Sequence, residues 1–113
     1  VIGDGAFSSC ENLINVNIPA SVTSIGGYAF QGCLYLTIMA IPEGVQTIGE
    51  RAFNGCVNLA VVTFPESLTE IGKGAFNDCK NLNEVTLPQN FTDFDTGAFP
   101  FWTIIRYSDS ETA

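Results

Sequence analysis

The feature that most constrains this chain is a repeat of fixed length. The segments "IGDGAFSSCENL", "IGGYAFQGCLYL", "IGERAFNGCVNL" and "IGKGAFNDCKNL" begin at Ile2, Ile25, Ile48 and Ile71, so their spacing is 23 residues. The stretches between them align without a gap, and a weaker fifth unit begins at Phe94. A constant period of about 20 to 29 residues is typical of a solenoid, in which each unit buries its apolar face only by stacking on its neighbours.

Stacking identical units places equivalent residues in columns about 4.8 Å apart, and each column then has one physical role. In the pattern "LxxVxIP", a Leu and two alternating apolar residues are the inward positions of a half-buried strand. Each pattern closes on a Pro, which lacks the N–H needed to continue a ladder. The sequence therefore predicts one parallel sheet built from residues 13–18, 36–41, 59–64 and 82–87.

Two further segments complete the predicted coil. Pairs such as Val22 and Ile25 supply inward residues on a short second extended segment, and the Gly after the Ile permits a turn through positive φ or close backbone approach. The "AF" pair and the Cys that follows predict a single helical turn. Its aromatic residue fills the core once in every coil, at Phe7, Phe30, Phe53, Phe76 and Phe99.

These columns resemble the BspA-like leucine-rich repeats, whose 23-residue unit has the form "IGxxAFxxCxxLxxVxIPxSVTx", and the match covers residues 2–93. The resemblance implies an α/β-type, right-handed leucine-rich repeat solenoid. It also implies a secreted or surface-attached protein of the kind found in bacteria and some parasitic protists, where such repeats are often implicated in adhesion to host matrix proteins.

The domain organisation predicted from the repeats has two parts. Residues 1–93 form four repeats, the first of which lacks its upstream half, and residues 94–113 form a degenerate fifth unit. In that unit Trp102 falls in the Cys column and Ile105 in the Leu column. The unit is predicted to be a C-terminal cap in which Phe101 and Trp102 cover the open end of the core; the alternative is a lead into another domain. We expect the chain to be a piece of a longer array whose first coil frays first.

Charge and hydropathy narrow the classes of partner. Four basic residues against twelve acidic ones give a net charge of −8, which repels a nucleic-acid backbone. No apolar run reaches the roughly 18 residues of a membrane span. Neither a nucleic-acid partner nor a membrane span is therefore expected in this chain. The resemblance implies a protein partner, possible examples being host extracellular matrix proteins.

The four cysteines, Cys10, Cys33, Cys56 and Cys79, repeat at the same period of 23 residues. Column neighbours have parallel Cβ vectors, whereas a disulfide needs Cβ atoms about 3.8 Å apart that turn toward each other. We expect reduced thiols that pack between the coils as small apolar groups. No metal site is predicted, because the spacing lacks a CxxC pair and the chain has no His.

The missing imidazole also removes the usual base for a nucleophilic Ser or Cys. Glu70 and Asp93 share a column and could pair as carboxylates, although a solvated edge explains them more simply. Asp93, Asp95 and Asp109 fit no calcium-loop spacing, and Asn90 begins a glycosylation sequon that matters only in a eukaryotic secretory pathway. No catalytic residue, cofactor or enzymatic activity is predicted.

The outward strand positions are the candidate protein-binding residues. They are Asn15, Asn17, Ile38, Ala40, Val61, Thr63, Glu84 and Thr86. Ile38, Ala40 and Val61 form a small apolar patch with a polar rim, as a binding site would; the other reading is that these residues stand there for strand propensity. The leading hypothesis is a non-enzymatic binding module of an extracellular or cell-surface adhesin-like protein. The second is a structural spacer whose function lies in other domains.

Overall fold

The computed structural model describes residues 1–89, 91 and 97–108, and within them every strand is parallel to its neighbours. One sheet has the order β2 (Ile38–Ala40), β4 (Val61–Thr63), β6 (Glu84–Leu87) and β7 (Ile104–Tyr107). A second sheet has the order β1 (Ser24–Ile25), β3 (Thr47–Ile48) and β5 (Glu70–Ile71). The predicted repeat solenoid with a parallel sheet is confirmed.

Strand register follows the repeat. Ile38 pairs with Val61, and Ile25 pairs with Ile48, so equivalent residues of successive repeats lie side by side. The short second segments are themselves paired across three coils, and Ile2 adds an isolated bridge to Ile25. The coil thus has hydrogen-bonded strands on two of its sides.

The first predicted strand, residues 13–18, is absent. Val16 and Ile18 still face the core, but this segment adopts no strand. Its outward positions hold Asn15 and Asn17, and Asn is poorly suited to strands, whereas the equivalent positions of β2 and β4 hold mainly β-branched residues. The four-stranded sheet therefore begins at β2. The observed strands β2, β4 and β6 are shorter than the segments predicted from the sequence.

The fifth unit contributes a strand that the sequence analysis did not assign. Ile104 pairs with Glu84 and Ile105 with Val85, a spacing of 20 residues instead of 23. The Phe column is still in step at Phe99, so the unit is shortened by three residues after that point. Trp102 consequently lies outside the Cys column, and Ile105 occupies the inward strand position rather than the Leu position.

The predicted helical turn is a run of tight turns, and no helix occurs in the described part of the chain. Two positions in each coil have positive φ. The first column consists of Gly5, Tyr28, Arg51 and Gly74, and the second of Ser9, Gly32, Gly55 and Asp78. Between them, the N–H of Phe30 donates to the carbonyl of Ala52 in the next coil at 2.7 Å instead of to its own segment. Left-handed residues cannot continue a right-handed helix, so the backbone bonds between coils.

These left-handed columns predict a graded response at Gly55, whose φ is 76° and whose added Cβ would meet nothing closer than 3.8 Å. Gly55→Ala is expected to lower the free energy of unfolding by about 1 to 2 kcal/mol, because strain acts without a clash. Gly55→Asn should cost less, since Asn tolerates this conformation, and Gly55→Val should cost more. Urea denaturation checks the order; equal losses for Asn and Ala would contradict it.

The core is a stack of repeated side chains. Successive Phe rings of the column lie 5.1 to 5.3 Å apart between centroids, with planes within 11° of parallel. The inward Leu residues Leu36, Leu59 and Leu82 are fully buried beside them. Phe64 adds edge contacts to Phe76 and Phe99 at 5.7 and 6.3 Å.

The repeated Gly after each Ile serves close approach, not positive φ. A Cβ on Gly26, Gly49 or Gly72 would lie 2.5 to 2.8 Å from backbone atoms of the preceding coil. Close backbone approach therefore explains this Gly column, because only a residue without a side chain lets the coils stack at this point.

The C-terminal end of the stack differs from expectation. Phe101 and Trp102 do not cover the core, since they are 96% and 41% exposed and pack on each other with centroids 5.2 Å apart. Phe99 instead is buried against Phe76. At the other end Phe7 is 40% exposed. The cap itself stays a prediction, because residues 94–96 and 109–113 lie outside the described part.

Candidate functional site

The exposed side of the four-stranded sheet carries the predicted binding residues. All eight of them are exposed, as the alternation along each strand required. Six lie on β2, β4 and β6: Ile38, Ala40, Val61, Thr63, Glu84 and Thr86. Asn15 and Asn17 belong to the segment that is not a strand. The six strand residues, together with Ile104 and Arg106 of β7, are called the sheet face below.

Ile104 and Arg106 were missed by the sequence analysis. They continue the two outward columns because Glu84 pairs with Ile104 and Thr86 with Arg106. The Arg106 Nε donates to Glu84 Oε1 at 3.1 Å, in an ion pair that is exposed to solvent. The available signal was the β-branched and aromatic content of "TIIRY", which favours a strand but which the 23-residue alignment placed out of register.

Apolar side chains occupy much of this face. Ile38, Val61 and Ile104 are 57%, 48% and 53% exposed. Ile38 and Val61 are directly paired, whereas Glu84 stands between Val61 and Ile104. The sheet face is thus an apolar surface divided by one carboxylate, with Thr63, Thr86 and Arg106 on its second row.

A groove runs along the join between β4 and β6. These strands share a single paired position, Thr63 with Thr86, whereas β2 and β4 share three and β6 and β7 share four. The groove has a volume of about 630 Å³. Glu66, Asn81 and Asn83 are among its lining residues. Its walls offer carboxylate and amide groups next to the apolar side chain of Val61.

The cysteines are free thiols, as predicted, and three of them are buried. Each buried thiol donates to the carbonyl of the Phe in the preceding coil: Cys33 to Phe7 at 3.2 Å, Cys56 to Phe30 at 3.1 Å, and Cys79 to Phe53 at 3.2 Å. Burial raises the pKa of the Cys56 thiol to about 12 and raises that of Cys79 as well. The thiols therefore tie coils together rather than supply nucleophiles.

Thiol labelling should separate the four residues. Cys10 is half-buried, so iodoacetamide at neutral pH is expected to modify it first. Cys56 and Cys79 should react at least about a hundredfold more slowly than Cys10, because they are buried and the thiolate is the reactive form. Mass spectrometry after timed quenching gives the order. Four labelled thiols in unreduced, denatured protein are expected, and a lower count would contradict the free-thiol assignment.

The described residues hold no cluster of three or more His, Cys, Asp or Glu that could bind a metal ion. Glu70 is exposed on β5, but Asp93, Asp95 and Asp109, like Asn90 of the sequon, lie outside the described residues. Within the same part of the chain no helix is long and apolar enough to cross a bilayer.

Comparisons with known proteins place these features among repeat proteins. A leucine-rich repeat protein from Bacteroides ovatus has 32% identity and a TM-score of 0.84 over 96% of this chain. The T. pallidum leucine-rich repeat protein has 28% identity and a TM-score of 0.66 over 77% of it. This chain covers 28% and 46% of those two chains, respectively. No curated protein matches the sequence.

The family model described as "BspA type Leucine rich repeat region (6 copies)" matches residues 1–109. Its match reaches through β7, in agreement with the pairing of the fifth unit onto the sheet. Leucine-rich repeat domains commonly mediate protein–protein interaction and are generally non-enzymatic scaffolds. The chain belongs to the BspA-type leucine-rich repeat family.

Proposed function

We propose that this chain is a non-enzymatic protein-binding module and that its sheet face is the binding surface. The observation that carries the proposal is the paired exposure of Ile38 and Val61 on a parallel sheet, with Ile104 exposed beyond Glu84. Polar side chains at these outward positions would leave the core unchanged. The presence of apolar ones therefore favours a partner that covers them.

The finer part of the proposal concerns where the module works. We place it in a secreted or cell-surface, adhesin-like protein whose partner is a host extracellular matrix protein. Its support is the family resemblance, together with an acidic surface that disfavours nucleic acid. The alternative is a spacer array, which the same regular stacking would serve and which needs no exposed apolar side chains.

The test changes the sheet face without touching the core. Ile38→Glu/Val61→Glu is expected to reduce binding to immobilised extracellular matrix by at least about tenfold, because two buried charges without partners oppose an apolar interface. Surface plasmon resonance measures the affinity, and circular dichroism shows whether the fold is kept. Both side chains point to solvent, so the thermal midpoint should shift little.

The matched control adds the same two charges to the other sheet. Ser24 and Thr47 are column neighbours on β1 and β3, as Ile38 and Val61 are on β2 and β4. Ser24→Glu/Thr47→Glu should bind like the parent chain. Equal binding by both double variants would contradict the sheet-face proposal, and absence of any binding by the parent chain would favour the spacer.

A further inference from the structure

We infer that the groove between β4 and β6 recognises an extended, basic segment of the partner protein. The inference rests on the proposed function of the sheet face and deepens it by naming the chemistry of the ligand. It commits to a polypeptide in strand-like conformation that presents Lys or Arg side chains toward the sheet.

The shape of the groove favours an extended occupant. It follows β4 and β6 from the start of these strands to the residues beyond their ends, because its lining includes both Ala60 and Glu66 of one coil and both Asn83 and Pro88 of the next. Since Thr63 and Thr86 are paired, the groove lies over the surface of the two strands and runs along them. A segment lying along the strands would fill its length.

The charge of the groove favours a basic occupant. Glu66 and Glu84 both line it and are exposed, and none of the four basic residues of the chain does. The carboxylate of Glu84 accepts a hydrogen bond from Nε of Arg106, on β7, at 3.1 Å. This carboxylate therefore already binds a cationic side chain. That pair is half-exposed and thus weak, so a second cation can bind or displace the first.

The positions of the two carboxylates set a spacing. The Thr63–Thr86 pair places Glu84 level with Val61, and Glu66 follows Val61 by five positions, at most about 16 Å along the strand direction. In an extended peptide, residues i and i+4 lie about 13 Å apart on the same face. Basic side chains at i and i+4 therefore match the two carboxylates, and residue i+2 then lies level with Thr63.

The experiment uses three synthetic nonapeptides, capped at both ends. The first has Lys at its third and seventh positions, Val at its fifth and Thr elsewhere; the others carry Gln or Glu in place of both Lys. Titration into the ¹⁵N-labelled chain is followed by the amide shifts of Val61, Thr63 and Thr86. The Lys peptide is expected to bind at least tenfold more tightly than the Gln peptide, and the Glu peptide should leave these amides unchanged.

Two variants locate the preference. Glu66→Gln/Glu84→Gln should abolish the tenfold advantage of the Lys peptide, whereas Glu70→Gln, an exposed carboxylate of the other sheet, should leave it intact. Equal shifts with Lys and Gln peptides, or an advantage that survives in the double variant, would overturn the inference. So would the absence of any groove shift. The matrix experiment with Ile38 and Val61 is separate, so the proposed function stands or falls independently.

Discussion

Phe53→Ala is expected to lower the free energy of unfolding by about 3 to 5 kcal/mol, the range for removing a buried aromatic ring. Phe53 is fully buried, and its ring stacks on Phe30 at 5.2 Å and on Phe76 at 5.1 Å. Its loss leaves a cavity in the middle of the column that rigid coils on both sides cannot close. Because domains are stable by only about 5 to 15 kcal/mol, this single substitution removes a large fraction of the stability.

The matched control is Phe101→Ala, the same substitution at a residue that is 96% exposed. It should change stability by less than about 0.5 kcal/mol. Urea denaturation followed by circular dichroism measures both variants. If Phe101→Ala were as costly as Phe53→Ala, the Phe101 side chain would be covering the core after all, and the assignment of Phe99 as the last ring of the stack would fail.

Gly49→Ala is expected to cost about 3 kcal/mol or more, although it adds only one methyl group. The new Cβ would lie 2.5 Å from the Gly27 nitrogen and 2.7 Å from the Gly26 carbonyl carbon. Both are backbone atoms of the preceding coil, so no flexible side chain can move aside. The two coils would have to separate, and the β1–β3 pairing beside the clash would weaken.

Gly3 provides the comparison within the same column. A Cβ there would meet nothing within 4 Å, so Gly3→Ala should be almost neutral. Thermal denaturation of the two variants gives the difference directly. A similar loss of stability in both would mean that backbone conformation, not the approach of the coils, explains why this column is Gly.

The candidate site could be predicted from the sequence only in part. Alternation along each repeat was enough to place Ile38, Val61 and Glu84 on the exposed side, because the side-chain period of a strand is two. It could not find Ile104 and Arg106, since the fifth unit loses three residues and leaves the 23-residue register. Nor could it find the groove, which is lined jointly by residues of two coils and by Ser108.

The sequence by itself determined the architecture of this protein. A fixed period with Leu, Phe, Cys and Gly at set positions predicts stacked coils, because each unit lacks the apolar area to form a core alone. The 23-residue spacing of the cysteines also indicated free thiols, and all four are free in the structure.

Only the tertiary structure decided the details that depend on contact between coils. The turn from Tyr28 to Gly32 is not helical, because the N–H groups of Tyr28, Phe30 and Gly32 donate to the next coil, which no local propensity reveals. Residues 13–18 form no strand, because Asn15 and Asn17 suit a strand poorly, while residues 104–107 form one because β6 shares its hydrogen bonds. Pairing is a property of two segments, and a pattern in one of them cannot determine it.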